Sequence, residues 1–148
     1  VTLLLQEYWK KFAFHPIMDE ECVAYWLLPK ENIVFSYVVE KDGKVTDFIS
    51  FYSVSSTQPK ELSSSQLSMV NMFYYAAQSE QQRVRLVRAA LLLAKEMQFD
   101  VFRCLDMMEN SSFFDELLFR KGGFYLNFYL YNWRTAPMES NEIAAAML

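Results

Sequence analysis

In "TLLLQEYWKKFAF", Leu4, Leu5, Tyr8, Trp9 and Phe12 recur three or four positions apart, which gathers them on one side of a helix. His15-Pro16 follows as a connector. "EECVAYWLL" predicts a second, shorter helix. Asp19 is placed to cap it, Glu20 and Glu21 sit in the first turn, where the helix dipole favours negative charge, and Pro29 ends it. The period then changes. "NIVFSYVVEKDGKVTDFISFYSVSST" is two β-rich runs around Asp42-Gly43, a pair that tolerates the positive φ a two-residue hairpin demands.

"TQPKELSSSQ" is a polar loop and "LSMVNMFYYAAQ" a third strand. "QQRVRLVRAALLLAKEMQ" sets Val84, Val87, Leu91 and Ala94 on one stripe and arginines on the other, the pattern of an amphipathic helix. "FDVFRCL" predicts a short strand. "SSFFDELLFRKGG" predicts a helix capped by Ser111 or Ser112 and stopped at Gly122-Gly123. "FYLNFYLYNWR" is expected to be a long aromatic strand and "NEIAAAML" a last one, apolar on both faces and therefore central or covered. Strands outnumber helices, and the expected class is α+β: a mixed, mostly antiparallel sheet with helices packed on it. The chain carries no internal repeat or low-complexity run.

A chain of 148 residues fits one domain with a true core. Its 13 Phe and 9 Tyr are more rings than such a domain readily hides, so part of its surface is expected to be covered by something else. A net charge of −4 argues against nucleic acid, which selects a clustered basic face, and suits a basic peptide better. Cys22 and Cys104 are far apart and lack a CxxC spacing; they read as reduced core thiols of a cytosolic protein. His15, the single histidine, cannot build a zinc site alone, and no metal is expected. No apolar run reaches the length of about 18 residues that a membrane helix needs, and no signal peptide opens the chain. Val1 already lies inside an apolar-periodic segment, as if cut from something longer.

The other end raises a chemical question. No charged side chain follows Glu142, and the chain closes on Ala144, Ala145, Ala146, Met147 and Leu148. A core strand that happens to end there, its carboxylate just reaching water, is one reading. The other makes the carboxylate a placed group. With a reference pKa of about 3.5 it is a feeble base in water. In a partly desolvated groove its pKa rises while that of an ammonium falls, so a proton can pass from amine to carboxylate at neutral pH. Such a site suits an acceptor whose nucleophile is a free amine.

"PKENIVFSYVVEKDGKVTDFISFYSVSST", "LLLAKEMQFDVFRCLDMMEN" and "FYLNFYLYNW", in that order, resemble the carboxy-terminal half of eukaryotic N-myristoyltransferase (glycylpeptide N-tetradecanoyltransferase). The resemblance implies an acetyltransferase-like fold, with residues 1–148 as the peptide-binding half and the acyl-CoA-binding half absent from the chain. It implies myristoyl-CoA as co-substrate with no prosthetic group, proteins or peptides with an amino-terminal glycine as acceptors, and a cytoplasmic setting. The family's base is the carboxylate of its last residue, aligned with Leu148. By position, Ser56 would offer a hydroxyl to the peptide, Tyr52 and Tyr75 aromatic walls, and Leu126 and Met147 an apolar floor near the glycine.

Three positions depart from the family. "FRKGGF" carries Arg120, Lys121, Gly122, Gly123 and Phe124 where the family has a Gly-rich loop whose acid faces basic substrate residues. Ser55 replaces a proline and Ala76 an asparagine. A non-catalytic peptide- or protein-binding module built on the same scaffold is therefore the alternative. A small acetyltransferase is a weaker one, since it requires a Gly-rich loop leading into a helix, and Gly122-Gly123 follows a predicted helix instead.

Overall fold

The computed structural model describes residues 1–55, 67–123 and 125–146. Two helices come first, α1 at Thr2–Trp9 and α2 at Glu20–Leu27. Asp19 caps α2 as expected, its carboxylate accepting the Cys22 N–H at 2.8 Å. Strands β1 (Val34–Lys41) and β2 (Lys44–Ser55) form the predicted hairpin. Asp42 at φ 50° and Gly43 at φ 72° both adopt the left-handed conformation, the geometry that matches strand twist in a two-residue turn.

β3 (Ser68–Ala76) pairs antiparallel with β2. A crossover through helix α3 (Glu80–Glu96) then brings β4 (Val101–Arg103) parallel to β3. Ser79 caps α3 by accepting the Gln82 N–H. Strand order is β1-β2-β3-β4. The class is thus the expected one: α+β, with a mixed sheet in which antiparallel pairs outnumber the parallel one.

β3 is buried from Val70 through Ala76, so it reads as an unbroken apolar run rather than an alternation. Against β2 it slips register: Ile49 faces Tyr75, whereas Phe51 faces Met72. The extra residue puts Phe73 and Tyr74 together opposite Ser50, a bulge that turns consecutive rings inward. α1 closes over this point, with Trp9 edge-on to Tyr74 at 5.0 Å and Tyr8 against Tyr75 at 5.7 Å. Phe51, fully buried, is flanked by Phe35 and Phe102.

Several expectations are corrected. "FYLNFYLYNWR" is no strand: Tyr125 to Arg134 are irregular and exposed. A ladder needs a second backbone for its hydrogen bonds, and among the described residues no edge pairs with this segment. From Asn141 to Ala146 "NEIAAAML" forms no strand either, and its last two residues lie outside the described residues. Ser140–Glu142 form a 3-10 turn, because Glu139 and Glu142 cap one another's backbone and compete with a ladder. One parallel bridge, Phe14↔Ile143, follows. The helix of "SSFFDELLFRKGG" shrinks to α4, Ser111–Phe114, whose N-cap is Asn110, without a side-chain cap. Leu118 at φ 57° turns the chain before the glycines.

Cys22 is an exposed thiol, not a core one, because α2 buries the Val23–Leu27 stripe beside it; Cys104 is half-buried, and both are free. Arg83, expected with the solvated arginines, is buried. No helix among the described residues is long and apolar enough to cross a membrane.

Candidate functional site

β3 and β4 are hydrogen-bonded only as far as the rung Asn71↔Arg103. Past it, β3 continues through its bulge to Ala76, while the chain leaves β4 at Cys104. The parting strands open a small cleft between Met72, Phe73 and Tyr75 on one side and Cys104, Leu105 and Met108 on the other. Met107, Asn110 and Ala146 complete the lining, and the space holds roughly one water molecule.

The carboxy-terminal segment is led to this cleft by a chain of backbone bonds. Phe14 donates to the Glu142 carbonyl at 3.1 Å and accepts from Ala144 at 2.7 Å. Met108 N–H reaches the carbonyls of Ser140 and Ile143 at 3.2 and 3.1 Å. Met108 holds φ 53°, an uncommon conformation for a side-chain-bearing residue, where the loop meets the segment. Ala144 is fully buried, and the Ala146 N–H donates to the Tyr74 hydroxyl at 3.2 Å. Small side chains allow this approach. Burial pushes the Tyr74 hydroxyl above its ordinary range, so it stays a neutral phenol. Replacing Tyr74 by Phe removes the acceptor alone. The expected result is a loss of about 1 kcal/mol in unfolding free energy and faster hydrogen exchange at the Ala146 amide; unchanged exchange there would contradict the contact.

Two polar networks surround the cleft. On the sheet, Arg103 Nε donates to Asn71 Oδ1 at 3.0 Å, and Asn71 Nδ2 donates to the Tyr52 hydroxyl at 3.0 Å. Tyr52 also packs on Phe73, with ring centroids 5.2 Å apart. Beneath the loop that follows β4, the Glu109 carboxylate accepts from the Tyr8 hydroxyl at 2.7 Å, from Lys11 Nζ at 2.5 Å and from Arg83 at 2.7 Å. Burial would raise the Glu109 pKa, but the donors Lys11 and Tyr8 and the charges of Arg83 and Lys11 outweigh it, and the net shift is downward. Burial, and then the bond to Glu109, push the Tyr8 hydroxyl far up. Cys104 beside the cleft is likewise pushed well above an ordinary thiol by burial, so it is no thiolate nucleophile.

Of the residues singled out from the sequence, Tyr75 lies in the cleft wall, completely buried, its hydroxyl sealed beside Tyr8 without a well-formed hydrogen bond. Tyr52 stands behind that wall through Phe73. Leu126 is exposed on the irregular segment and does not line the cleft. Ser56, Met147 and Leu148 lie outside the described residues. Sequence reasoning passed over Tyr74, Asn71, Arg103 and Glu109. Asn71, a lone amide inside "SMVNMFYYA", was the legible signal; the bulge that aims Tyr74 had none. Among the described residues no cluster of His, Cys, Asp or Glu could hold a metal.

The family described as "Myristoyl-CoA:protein N-myristoyltransferase, C-terminal domain" matches residues 1–146. The chain is 40% identical over 148 residues to glycylpeptide N-tetradecanoyltransferase 2 of Danio rerio and 41% identical to that of Bos taurus. In both cases the match covers 99% of this chain and 30% of the relative, so the chain spans about a third of their length. A solved Saccharomyces cerevisiae N-myristoyltransferase with bound myristoyl-CoA superposes with a TM-score of 0.76 at 30% identity, over 82% of this chain and 34% of that one. An aminoglycoside acetyltransferase from a soil metagenome shares the fold alone, with a TM-score of 0.59 at 14% identity, over 89% of this chain and 88% of its own. Motif order, sheet topology and these likenesses agree, and the chain belongs to the N-myristoyltransferase family as its C-terminal domain.

Proposed function

We propose that this chain is the peptide-binding half of a protein N-myristoyltransferase, completed by an acyl-CoA-binding region that residues 1–148 do not include. Myristate is transferred from myristoyl-CoA to an amino-terminal glycine, with the α-carboxylate of Leu148 as general base. The carboxylate takes a proton from the glycine ammonium, the freed amine attacks the thioester carbonyl, and the C–N bond forms as the C–S bond breaks. The second proton lost by the nitrogen passes to the departing thiolate, which leaves as coenzyme A, and the carboxylate releases the first to solvent. No covalent intermediate on the protein is required. Oxyanion stabilisation is assigned to the completing region.

One observation carries the reading. The carboxy-terminal segment is clamped along Phe14 and Met108 and delivered at Ala146 to a cleft between parting strands. A base is useful only within hydrogen-bond reach of its proton, and Ala146, two positions before Leu148, already lines this cleft. Tyr52, Ser56, Leu126 and Met147 are proposed peptide contacts. Tyr75, being wholly buried, acts as the back of the wall rather than as a surface that the peptide touches. The site of action is the cytoplasm.

The acid-free stretch Arg120 to Gly123 favours a second reading, a module of this scaffold that binds peptides without acylating them. Transfer separates the two. The full-length protein, given myristoyl-CoA and a peptide with an amino-terminal glycine, is expected to yield the N-myristoyl peptide by mass spectrometry. Residues 1–148 alone are expected to yield none. A full-length protein that binds the peptide but never acylates it supports the binding module, and transfer by the isolated chain would overturn the division of labour.

A further inference from the structure

Arg103 is half-buried at the last rung before β3 and β4 part. Its Nε is engaged by Asn71, whose amide is fixed in that sense because its nitrogen donates to Tyr52. The four ion pairs among the described residues engage Lys10, Lys11, Arg83 and Arg88; none engages Arg103. A guanidinium partly withdrawn from water without a counter-charge is costly, and its planar fork of donors matches a carboxylate. The fork is pre-oriented by Asn71, so little freedom remains to be lost when an anion arrives. Phe73, two residues along β3 from Asn71, is shared: it lines the cleft and packs on Tyr52.

We propose that Arg103, oriented by Asn71 and flanked by Tyr52, is the specificity-determining residue for an acidic acceptor, binding an Asp or Glu side chain of the peptide within a few residues of its glycine. The inference rests on the peptide-binding reading and deepens it. The acid that faces basic substrate residues in the resembled family has no counterpart at Arg120 to Gly123, and the charge preference passes here to a cation on the sheet.

The test uses the full-length protein and matched peptides with an amino-terminal glycine, carrying Glu, Gln or Lys at each of the next several positions. Dissociation constants from fluorescence anisotropy and kcat/KM for acyl transfer are measured side by side. At one position Glu is expected to surpass Lys by about tenfold, the order of one charge-assisted hydrogen bond. Arg103→Gln should bring that ratio, read between Glu and Lys peptides in the same protein, to within about twofold. Asn71→Asp, nearly isosteric, supplies an internal carboxylate to Arg103 and should erase the preference without removing the guanidinium. Arg103→Lys should keep the sign of the preference at reduced size.

Equal binding of Glu and Lys peptides at every position, a preference for Lys, or a Glu preference indifferent to both Arg103→Gln and Asn71→Asp would overturn the inference. If anisotropy shows the acid preference and its loss in Asn71→Asp while no peptide is acylated, the anion site stands and the transferase reading fails. If acylation proceeds without charge preference, the reverse holds.

Discussion

Converting the terminal carboxylate of Leu148 to a carboxamide in the full-length protein is expected to lower kcat for acyl transfer by about 10²- to 10⁴-fold, the range that a positioned general base contributes. The substitution alters one oxygen and one charge, leaving the path along Phe14, Met108 and Tyr74 as it is. Peptide affinity should therefore move by no more than a few-fold, and the loss should fall on kcat rather than on binding. A short tag after Leu148 should act in the same direction, with an added steric penalty on the peptide. Removing Leu148 withdraws the proposed base by one residue and should lower kcat in the same way. Unimpaired transfer by the carboxamide protein would end the assignment.

The second large effect concerns stability. Glu109→Ala should cost about 2–3 kcal/mol of unfolding free energy and lower Tm by on the order of 5–10 °C. The reason lies with the partner: Arg83 keeps only 7% side-chain exposure, and losing Glu109 leaves its buried charge without a counter-ion, with the Ser112 hydroxyl alone still accepting from Nε. Tyr8 and Lys11 lose their shared acceptor at the same time. The loop from Leu105 to Asn110 then loses its tie to α1 and α3, and with it goes the seat of Met108 beneath the carboxy-terminal segment.

Glu109→Gln separates charge from shape and carries a pH signature. An unfolded glutamate titrates at about 4.3. In the folded protein the value is lower, since the donors and charges of Lys11, Tyr8 and Arg83 outweigh burial. The folded state thus holds the carboxylate where the unfolded chain has already taken up a proton. Its contribution is complete above the unfolded value and drains away as pH falls through the folded one. Urea unfolding followed from neutral pH down through the carboxylate range should show a steeper decline for the native protein than for Glu109→Gln. Parallel declines would place the acid sensitivity elsewhere.

The hairpin was the most legible part of the chain, because Asp42-Gly43 is a local requirement: both residues must adopt positive φ, and few pairs do so readily. The cap at Asp19 and the stripe of α3 were readable on the same terms, each depending on neighbours within a turn or two. Arg83 shows where that logic stops. Its position on α3 was plain; its burial depends on Glu109, 26 residues away, whose carboxylate compensates the charge. The aromatic run from Tyr125 to Trp133 shows the opposite failure. Its composition favours a strand, but strand formation is a property of pairs, and composition names no partner.

The cleft belongs to the same class. It exists because β4 stops pairing after Arg103 and β3 bulges at Phe73-Tyr74, so its walls come from segments some 30 residues apart.

The sequence by itself determined the order of helices and strands as far as α4, the hairpin, the α+β class and, through motifs in their order, the family, since each depends on local periods, turn chemistry or residue identity. Only the tertiary structure decided which rings are walls and which are surface, which arginine is neutralised and which is left with spare donors, and that the carboxy-terminal segment runs along Phe14 to Tyr74 instead of joining the sheet. Those outcomes turn on non-local hydrogen bonds and charge pairing across elements, whose energies depend on distances that no stretch of sequence contains.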